Sequence, residues 1–298
     1  MTTDKVFIQI LIQLFNGLKL GSIYALVALG YNMVYGIISL LNFAHGDIIM
    51  VGAYIAWFSM TTLGLHPIIS VIIVVLVCVL LGFGIEKVAY APLRSAPRLS
   101  LLITAIGVSY LLENLTQLIV GANGRMVPQI FNVDVFKIGN AEFSTLNFII
   151  IGISIVSMLI LNFLVKKTKM GKAMRAVSEN LDTAKLMGIN PNKIISFTFA
   201  IGSALAGIGS ILYVSSYSQI NPTMGSMLGL KAFVAAVLGG VGSISGAVLG
   251  GYIIGLLEIF VSAIGLSVWK DAAVFLALIL ILIIKPSGIL GKPVREKV

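Results

Sequence analysis

The chain has 298 residues, of which 58% are hydrophobic and only 10% are charged. This balance excludes an ordinary soluble domain. The net charge of +9 gathers in short loops between apolar segments, which argues against nucleic-acid binding and is typical of a polytopic membrane protein. The one cysteine, Cys78, lies inside an apolar run, so a disulfide framework or a thiolate metal site within this chain is excluded.

Ten apolar segments predict transmembrane helices in an all-α fold, arranged as one transmembrane domain over residues 1–298. They are Val6–Leu18, Leu20–Ile38, Gly46–Leu63, Pro67–Val88, Leu99–Val120, Ser144–Val165, Ile194–Ser216, Met227–Gly240, Gly246–Ile264 and Val268–Ile284. The first and the eighth are short for a bilayer. If Val6–Leu18 crosses, there are ten spans with both termini inside. If it lies in the interface, there are nine with the N-terminus outside. The arrangement with ten spans is favoured.

Three loops hold 14 of the 20 Lys and Arg residues: Lys87–Arg98, Lys166–Lys193 and the tail from Lys285. Because basic loops stay on the cytoplasmic side, all three are predicted to lie in the cytoplasm. The charge-balanced Gly121–Phe143 loop is predicted to lie outside.

A polar break, Leu41–Asp47, interrupts the early apolar segments with an amide, an imidazole and a carboxylate. Polar groups at membrane depth are costly and often face a cavity, so Asn42 and His45 are candidates for lining a translocation path or gate. The alternative is a tight turn in which Asn42 or Asp47 caps the helix that begins near Gly46.

Three ionisable residues, Glu113, Lys231 and Glu258, fall inside predicted spans. The two acids could serve an ion-coupled carrier, or they could pair with a basic or amide group for packing. His45 and His66 lack metal-ligand spacing, and no metal site is predicted.

The charge-dense loop 166–193 is predicted to fold rather than only to fix topology. Gly171–Asn180 is helix-like, Ala184–Met187 continues the helix, and Gly188 ends it before a turn. An apolar stripe favours docking of this amphipathic helix into a partner's groove; its members are Ala173, Met174, Val177, Leu186 and Met187. Because the sequence has no phosphate-binding loop of the Walker type, any ATP-driven energy has to come from another polypeptide.

A second break, Gly239–Gly246, is rich in glycine. Gly239, Gly240 and Gly242 could line the path through exposed backbone dipoles. Spacing of four residues favours helix packing instead, with Gly242, Gly246 and Gly250 in one row. Ala247, Gly251 and Gly255 form a second row on the same predicted helix.

Together these motifs resemble the permeases of branched-chain amino-acid ABC importers, of the shorter LivH type. The resemblance runs essentially from end to end. The segments that carry it are Asn16–Leu26, Asn42–Asp47, Met174–Asn180, Met187–Asn190, Leu238–Ser243 and Lys285–Pro293.

The resemblance implies a multi-pass subunit of the bacterial cytoplasmic (inner) membrane that is not itself an enzyme and binds no cofactor. Its implied partners are a second, LivM-like permease, two ATPase subunits that carry ATP and Mg, and an extracytoplasmic substrate-binding protein. It also implies an EAA-like coupling helix, here with Asp for Glu, Thr for the first Ala and no closing Leu-Pro. The candidate coupling residues are Arg175, Asp182, Thr183, Ala184 and Gly188.

The expected function is ATP-driven import of branched-chain or other apolar amino acids. Permeases for urea and short-chain amides share much of the pattern, so they are an alternative for the substrate. From the residues alone, an ATP-independent secondary carrier or channel is also open.

Overall fold

The computed structural model describes residues 3–38, 42–94, 96–131, 133–138 and 141–291, and it is almost entirely helical. The tail residues Lys292, Arg295 and Lys297 lie outside this range, as does Leu41 of the first break. The helices are α1 (Thr3–Ile38), α2 (His45–Trp57), α3 (Pro67–Ile85), α4 (Arg98–Val120), α5 (Thr145–Lys167), α6 (Lys169–Glu179), α7 (Leu181–Leu186), α8 (Pro191–Ser216), α9 (Met224–Gly239), α10 (Ile244–Ala263) and α11 (Lys270–Ile284).

Short irregular helical turns extend three of these elements. A π-helical turn, Phe58–Thr62, continues α2. Another, Glu86–Tyr90, and a 3₁₀ turn, Ala91–Leu93, continue α3. A further 3₁₀ turn, Ser267–Trp269, precedes α11.

Four short strands lie in the loops at the end of the bundle opposite to the basic loops. The strands β1 (Arg125–Met126) and β4 (Gln219–Ile220) pair antiparallel. The strands β2 (Val135–Ile138) and β3 (Ala141–Ser144) form an antiparallel hairpin. The hairpin packs its Phe136 and Phe143 rings 5.9 Å apart.

The first two predicted segments are one helix, so the favoured count of ten spans was wrong. The 36 residues of α1 are about 54 Å long at ~1.5 Å per residue, well over the ~30 Å hydrocarbon core. Lys19 does not interrupt the helix, because each backbone amide is bonded within it and a single long cation can extend toward water. Gly17 and Gly21 also remain helical, and their missing side chains let α10 approach.

Seven helices are long and apolar enough to cross a membrane, within the residues that the structure describes: α1, α3, α4, α5, α8, α10 and α11, the last counted as Ser267–Ile284 together with the 3₁₀ turn before it. The helix α9, with 16 residues, is shorter, as the sequence predicted. The helix α2 has 13 residues before its π-helical extension. Counted with these two, the apolar segments number nine, which agrees with the arrangement that places the N-terminus outside.

Helix α8 is the most buried of the long helices, and α4 and α11 are the most exposed. The core therefore lies where α8 packs against α1, α2 and α3. Exposed apolar side chains cover α3, α4, α5 and α11, as expected for surfaces that face lipid or another membrane subunit.

The antiparallel pair α1 and α10 forms the most extensive helix contact. A methyl group on Gly255 would lie 2.2 Å from the Gly21 nitrogen, and one on Gly251 would lie 2.4 Å from the Ala25 Cα. Since real side chains never approach backbone so closely, only glycine fits at these two positions. Small residues at spacing four are the usual means of such close packing in lipid.

The basic loops converge at one end of the bundle. Arg94, from the first loop, donates a hydrogen bond to the Asn192 side chain beside the second loop. Gly36, Arg175 and Gly242 line one small cleft, and the tail bonds to the end of α9 through Ile289 N and Leu238 O at 2.9 Å. The shared end is what the charge pattern predicts for loops on one side of a membrane.

Candidate functional site

The loop between α5 and α8 folds into two helices that a single residue, Asn180, separates. Thr168 caps α6, its Oγ1 accepting from Gly171 N at 3.0 Å. Asn180 caps α7, and its Oδ1 accepts from Asp182 N and Thr183 N, both at 2.9 Å. These caps satisfy amides that a helix start leaves unpaired. The predicted helical character of this loop is confirmed.

Helix α6 is bound to the bundle. Its Met174 and Val177 are buried, and Gly171 lies against the last carbonyls of α5. Arg175 donates a hydrogen bond to the Val165 carbonyl. This places the Arg175 guanidinium at the C-terminus of α5, where a cation complements the helix dipole, rather than pointing away from the protein.

Helix α7 is the exposed part of the loop. Ala184 is buried beneath it, whereas Asp182 and Thr183 face outward. Leu186 and Met187 are 87% and 77% exposed, an unusual position for two large apolar side chains next to each other. Gly188 follows with φ +78°, a conformation that favours glycine, and Gly188 N bonds to Lys185 O at 2.9 Å.

The prediction of one continuous apolar stripe was wrong. Met174 and Val177 belong to the face by which α6 packs on the bundle, while Leu186 and Met187 lie free on the far side of α7. The break at Asn180 rotates the second helix away from the first, so helical spacing does not carry across it.

The residues of the first break are packed inside the protein. Asn42 and His45 are each 1% exposed. The Tyr90 hydroxyl donates to Asn42 Oδ1 at 2.8 Å, and the His45 ring lies edge-on to Tyr31, with centroids 4.9 Å apart. In this conformation they seal the bundle, so a role in the path requires that the packing open.

The alternative interpretation of this break, in which Asn42 or Asp47 caps the helix that begins near Gly46, was wrong. Ala44 is the N-cap residue of α2, and no side chain caps this helix start. Asn42 contributes its backbone carbonyl, which accepts from His45 N at 3.0 Å.

The second break is fixed by two contacts that the sequence did not reveal. Gly240 and Gly242 have φ of +116° and +81°, so both positions favour glycine. The Asn32 side chain in α1 accepts from Gly242 N and donates to Ser243 O, both at 2.9 Å. Leu290 N of the tail bonds to Gly239 O at 2.8 Å. Asn32, a polar residue within the apolar run of α1, was the sequence feature that could have indicated these contacts.

The predicted glycine row divides at the start of α10. Gly246 and Gly250 pack on α9, where a methyl on Gly250 would meet the Ala235 carbonyl oxygen at 2.0 Å. Gly242 lies before the helix and has open space at its Cβ position. The prediction that Gly242 belongs to the packing row was therefore wrong. Gly242 instead adopts the positive φ that the turn requires.

Glu258 pairs with basic side chains, which supports a role in packing rather than in an ion-coupled carrier. It lies 3.0 Å from Lys231 and 3.3 Å from Lys270, and the Tyr24 hydroxyl donates to it at 2.7 Å. Lys231 also lies 2.6 Å from Asp271. The network joins α1, α9, α10 and α11. Buried charges of opposite sign at such distances neutralise one another.

Glu113 has a different environment. It is buried and accepts a hydrogen bond from Ser226 on α9. No salt bridge among the described residues involves it. Within the same part of the chain, no group of three or more His, Cys, Asp or Glu side chains is arranged to hold a metal ion.

Comparison with known proteins decides the family. The family model described as "Branched-chain amino acid transport system / permease component" matches residues 13–284. The chain belongs to this family. It is 41% identical to the high-affinity branched-chain amino acid transport system permease protein LivH of Escherichia coli, over 99% of this chain and 100% of that protein.

A second relative is also named as a permease of a high-affinity branched-chain amino acid transport system. The permease protein BraD of Pseudomonas aeruginosa is 42% identical over 96% of this chain and 97% of its own length. The solved structure of PsaBC from Streptococcus pneumoniae, in complex with Fab, matches with a TM-score of 0.51 at 15% identity and covers 91% of both chains. That likeness concerns the fold alone.

The resemblance seen in the sequence is thereby confirmed. The chain is a multi-pass membrane permease subunit of a high-affinity branched-chain amino acid transport system, of the LivH/BraD type. Members of this family are transport subunits rather than enzymes, and the family carries no cofactor.

Proposed function

We propose that this chain forms one half of the membrane path of an ATP-driven importer for leucine, isoleucine and valine. A second, LivM-like permease supplies the other half, and an extracytoplasmic binding protein delivers the amino acid. Two ATPase subunits hold ATP and Mg beneath the membrane. The substrate class is supported by two relatives, LivH and BraD, which are named as permeases of branched-chain amino acid transport systems.

The observation that carries the mechanical part of the proposal is the exposure of α7. Leu186 and Met187 present a pair of large apolar side chains to solvent at the end of the bundle where the basic loops meet. Isolated apolar pairs of this kind, held on a capped helix, suit insertion into a groove of a partner. The residues that we assign to ATPase contact are Asp182, Thr183, Leu186, Met187 and Gly188.

Helix α6 is the element that transmits the motion. Its buried Met174 and Val177 bind it to the bundle, and Arg175 ties it to the end of α5. A displacement of α7 by the ATPases therefore moves α5 and the α1–α10 pair beside it. The chain supplies two packed arrangements, and nucleotide binding in the partners shifts the balance between them.

Residues 166–193 thus act as the coupling loop of a single permease domain. The whole described chain, from α1 to α11, packs as one bundle in which α1 contacts both α8 and the α9–α10 pair, which supports a single domain over residues 1–298. Asn42, His45 and the glycines of the second break become gate elements whose packing changes between the two arrangements.

The test uses the complete transporter in proteoliposomes, with labelled leucine outside and ATP on the ATPase side. Gly188→Leu forces a side chain into φ +78° in open space, so the strain remains local to α7. We expect ATPase activity to persist while leucine uptake falls by about tenfold or more.

Gly265→Leu is the matched control. Gly265 has φ +88° and open space at its Cβ position, but it lies at the opposite end of the bundle, between α10 and α11. We expect this variant to import leucine like the parent. Undiminished uptake by Gly188→Leu, or uptake driven by an ion gradient without ATP, would exclude the proposed coupling.

A further inference from the structure

Asp47 is one of three residues of the first break with buried polar atoms that lack a well-formed hydrogen bond; the other two atoms are Asn42 Nδ2 and His45 Nε2. The Asp47 side chain is fully buried. Neither of its carboxylate oxygens makes a hydrogen bond of good geometry among the described residues, although the Ser109 hydroxyl of α4 lies near enough to donate to this carboxylate. No salt bridge in the same part of the chain involves it. A carboxylate left in this way at membrane depth is costly, and such residues are usually functional.

Polar groups from three further helices surround this carboxylate. Ser109 of α4 lies near enough to donate to it, and Glu113 of α4 and Tyr31 of α1 lie in the same region. On the α9 side, a methyl on Gly225 would come within 2.5 Å of Asp47 Oδ1. The next residue, Ser226, donates to Glu113. Two acids and three hydroxyls therefore converge where α2 begins.

The cluster holds two acids, and no described Lys or Arg side chain forms a salt bridge with either of them. By contrast, the buried Glu258 is paired with Lys231. The contrast between these two sites is informative, because the chain does place lysines next to a buried acid elsewhere.

An apolar surface adjoins the polar cluster. The Tyr31 and Phe233 rings lie 6.5 Å apart, and Phe233 and Phe43 lie 6.1 Å apart. Phe43 and Phe233 are half-buried, so part of this surface is reachable from outside the chain. A ligand with a cationic group at one end and a branched apolar group at the other matches this arrangement.

Helix α4 covers the cluster loosely. It is among the most exposed of the long helices, and its packing contacts are with α2 and the π-helical turn after α3. The Glu113–Ser226 hydrogen bond joins it to α9, and Ser226 itself is exposed. Separation at this bond, together with movement of α4 away from α2, would uncover the α4 side of Asp47.

We propose that Asp47 and Glu113 bind the ammonium group of the transported amino acid, with Phe43 and Phe233 against its apolar side chain. This site rests on the proposed import of branched-chain amino acids and adds to it the residues that recognise the substrate. In the conformation described here the site is closed by α4. It opens when the Glu113–Ser226 contact separates.

The experiment compares Asp47→Asn and Glu113→Gln in the complete transporter, reconstituted with its ATPases, second permease and binding protein. Each variant keeps the shape of the side chain and removes its charge. We expect the KM for leucine uptake to rise, or uptake to fall, by about tenfold or more, the size expected for loss of a charge-assisted hydrogen bond. ATPase stimulation by the loaded binding protein should stay within about twofold of the parent.

Asp134→Asn is the control, because Asp134 is an exposed carboxylate in the loop between β1 and β2. It should transport like the parent. Glu113→Asp, which restores the charge, should recover a substantial part of the uptake lost in Glu113→Gln. If Asp47→Asn does not assemble, Glu113→Gln decides the matter, since Glu113 is bonded to the exposed Ser226 at the edge of the cluster.

Uptake within about twofold of the parent in either assembled charge-removing variant overturns the proposal. A second arm replaces sodium and potassium by choline. Unchanged leucine uptake by the parent protein supports the ammonium group as the ligand, whereas lost uptake assigns the site to an inorganic cation and overturns the proposal. Failure of the proposed function looks different, because the parent complex would then import no leucine with ATP.

Discussion

Asn32 in α1 bonds with both its amide atoms to the turn that begins α10, accepting from Gly242 N and donating to Ser243 O at 2.9 Å each. Two segments more than 200 residues apart in the chain are joined by this one side chain. The contact holds Gly242 at positive φ and sets where α10 begins. It therefore fixes the register of the α1–α10 pair at its basic end, while the glycines fix it along the helices.

Asn32→Ala should lower the free energy of unfolding by about 1–3 kcal/mol, since it leaves a backbone donor and acceptor without their buried partners. The measurement is the thermal unfolding midpoint of the purified transporter in detergent. Asn114→Ala is the control, because Asn114 bonds to Tyr110 O within its own exposed helix turn. Equal midpoints for the two variants would contradict the assigned role of Asn32.

Gly255→Ala should destabilise the protein, whereas Gly152→Ala should not. The added methyl on Gly255 meets Gly21 backbone atoms at 2.2 and 2.4 Å, while the Gly152 position is open. Overpacking against backbone costs about 1–3 kcal/mol. At Gly152 the same change adds helix propensity of up to about 1 kcal/mol.

The comparison of these glycine variants is made by thermal unfolding and by the amount of assembled transporter in the membrane. Both readouts should fall for the α10 variant and stay level or rise for the α5 variant. A stable, fully assembled Gly255→Ala protein would show that α1 and α10 do not pack as closely as the structure has them.

Lys231→Met should destabilise the protein more than Lys270→Met, although both lysines pair with Glu258. The Lys231 side chain is 7% exposed and that of Lys270 is 41% exposed. Removal of Lys231 takes the buried partner from both Glu258 and Asp271 and leaves Glu258 only the more exposed Lys270, at a cost of about 3 kcal/mol. Loss of the exposed Lys270 pair costs at most about 1 kcal/mol. Thermal unfolding midpoints measure the difference.

A second substitution tests the reason for this difference. In Lys231→Met with Glu258→Gln, the buried charge is removed together with its partner, so part of the lost stability should return. If the double variant is as unstable as the sum of the two single variants, the loss comes from packing rather than from the unpaired charge.

Met174→Ala and Leu186→Ala should separate stability from coupling. Met174 is buried where α6 packs on the bundle, and its truncation should cost about 2–5 kcal/mol. Leu186 is exposed, so its truncation should change stability by less than about 0.5 kcal/mol. Its truncation should instead reduce the amount of ATPase that purifies with the permease.

Co-purification and unfolding are measured on the same preparations of these two variants. The Leu186 variant should keep its unfolding midpoint and lose ATPase, and the Met174 variant should lose stability first. Normal ATPase retention by Leu186→Ala would place the ATPase contact elsewhere on the chain.

Local sequence signals predicted much of the helical structure correctly. The apolar runs gave most of the spans, because a segment in lipid has to satisfy its own backbone and few structures do so. The predicted helix end at Gly188 is confirmed, because this residue adopts positive φ. Thr168, Asn180 and Asn190 cap helix starts; none of the three was predicted as a cap, although their side-chain types are local signals. These are effects of neighbouring residues, and they can be deduced from the chain alone.

The same local signals were wrong where packing decided the result. Lys19 indicated a boundary, yet α1 continues through it, because burial against α10 stabilises an unbroken helix. Met174 and Leu186 shared a predicted stripe, yet the turn at Asn180 places them on opposite sides of the loop.

By itself the sequence determined that this is a helical membrane permease with a basic, folded loop at one end, since hydropathy, charge and helix caps are properties of short segments. Only the tertiary structure decided that Asp47, Glu113 and Ser226 converge while Glu258 receives Lys231 as its partner. Residues on different helices become neighbours through the packing of whole helices, and that depends on the shapes of many side chains at once rather than on any one segment.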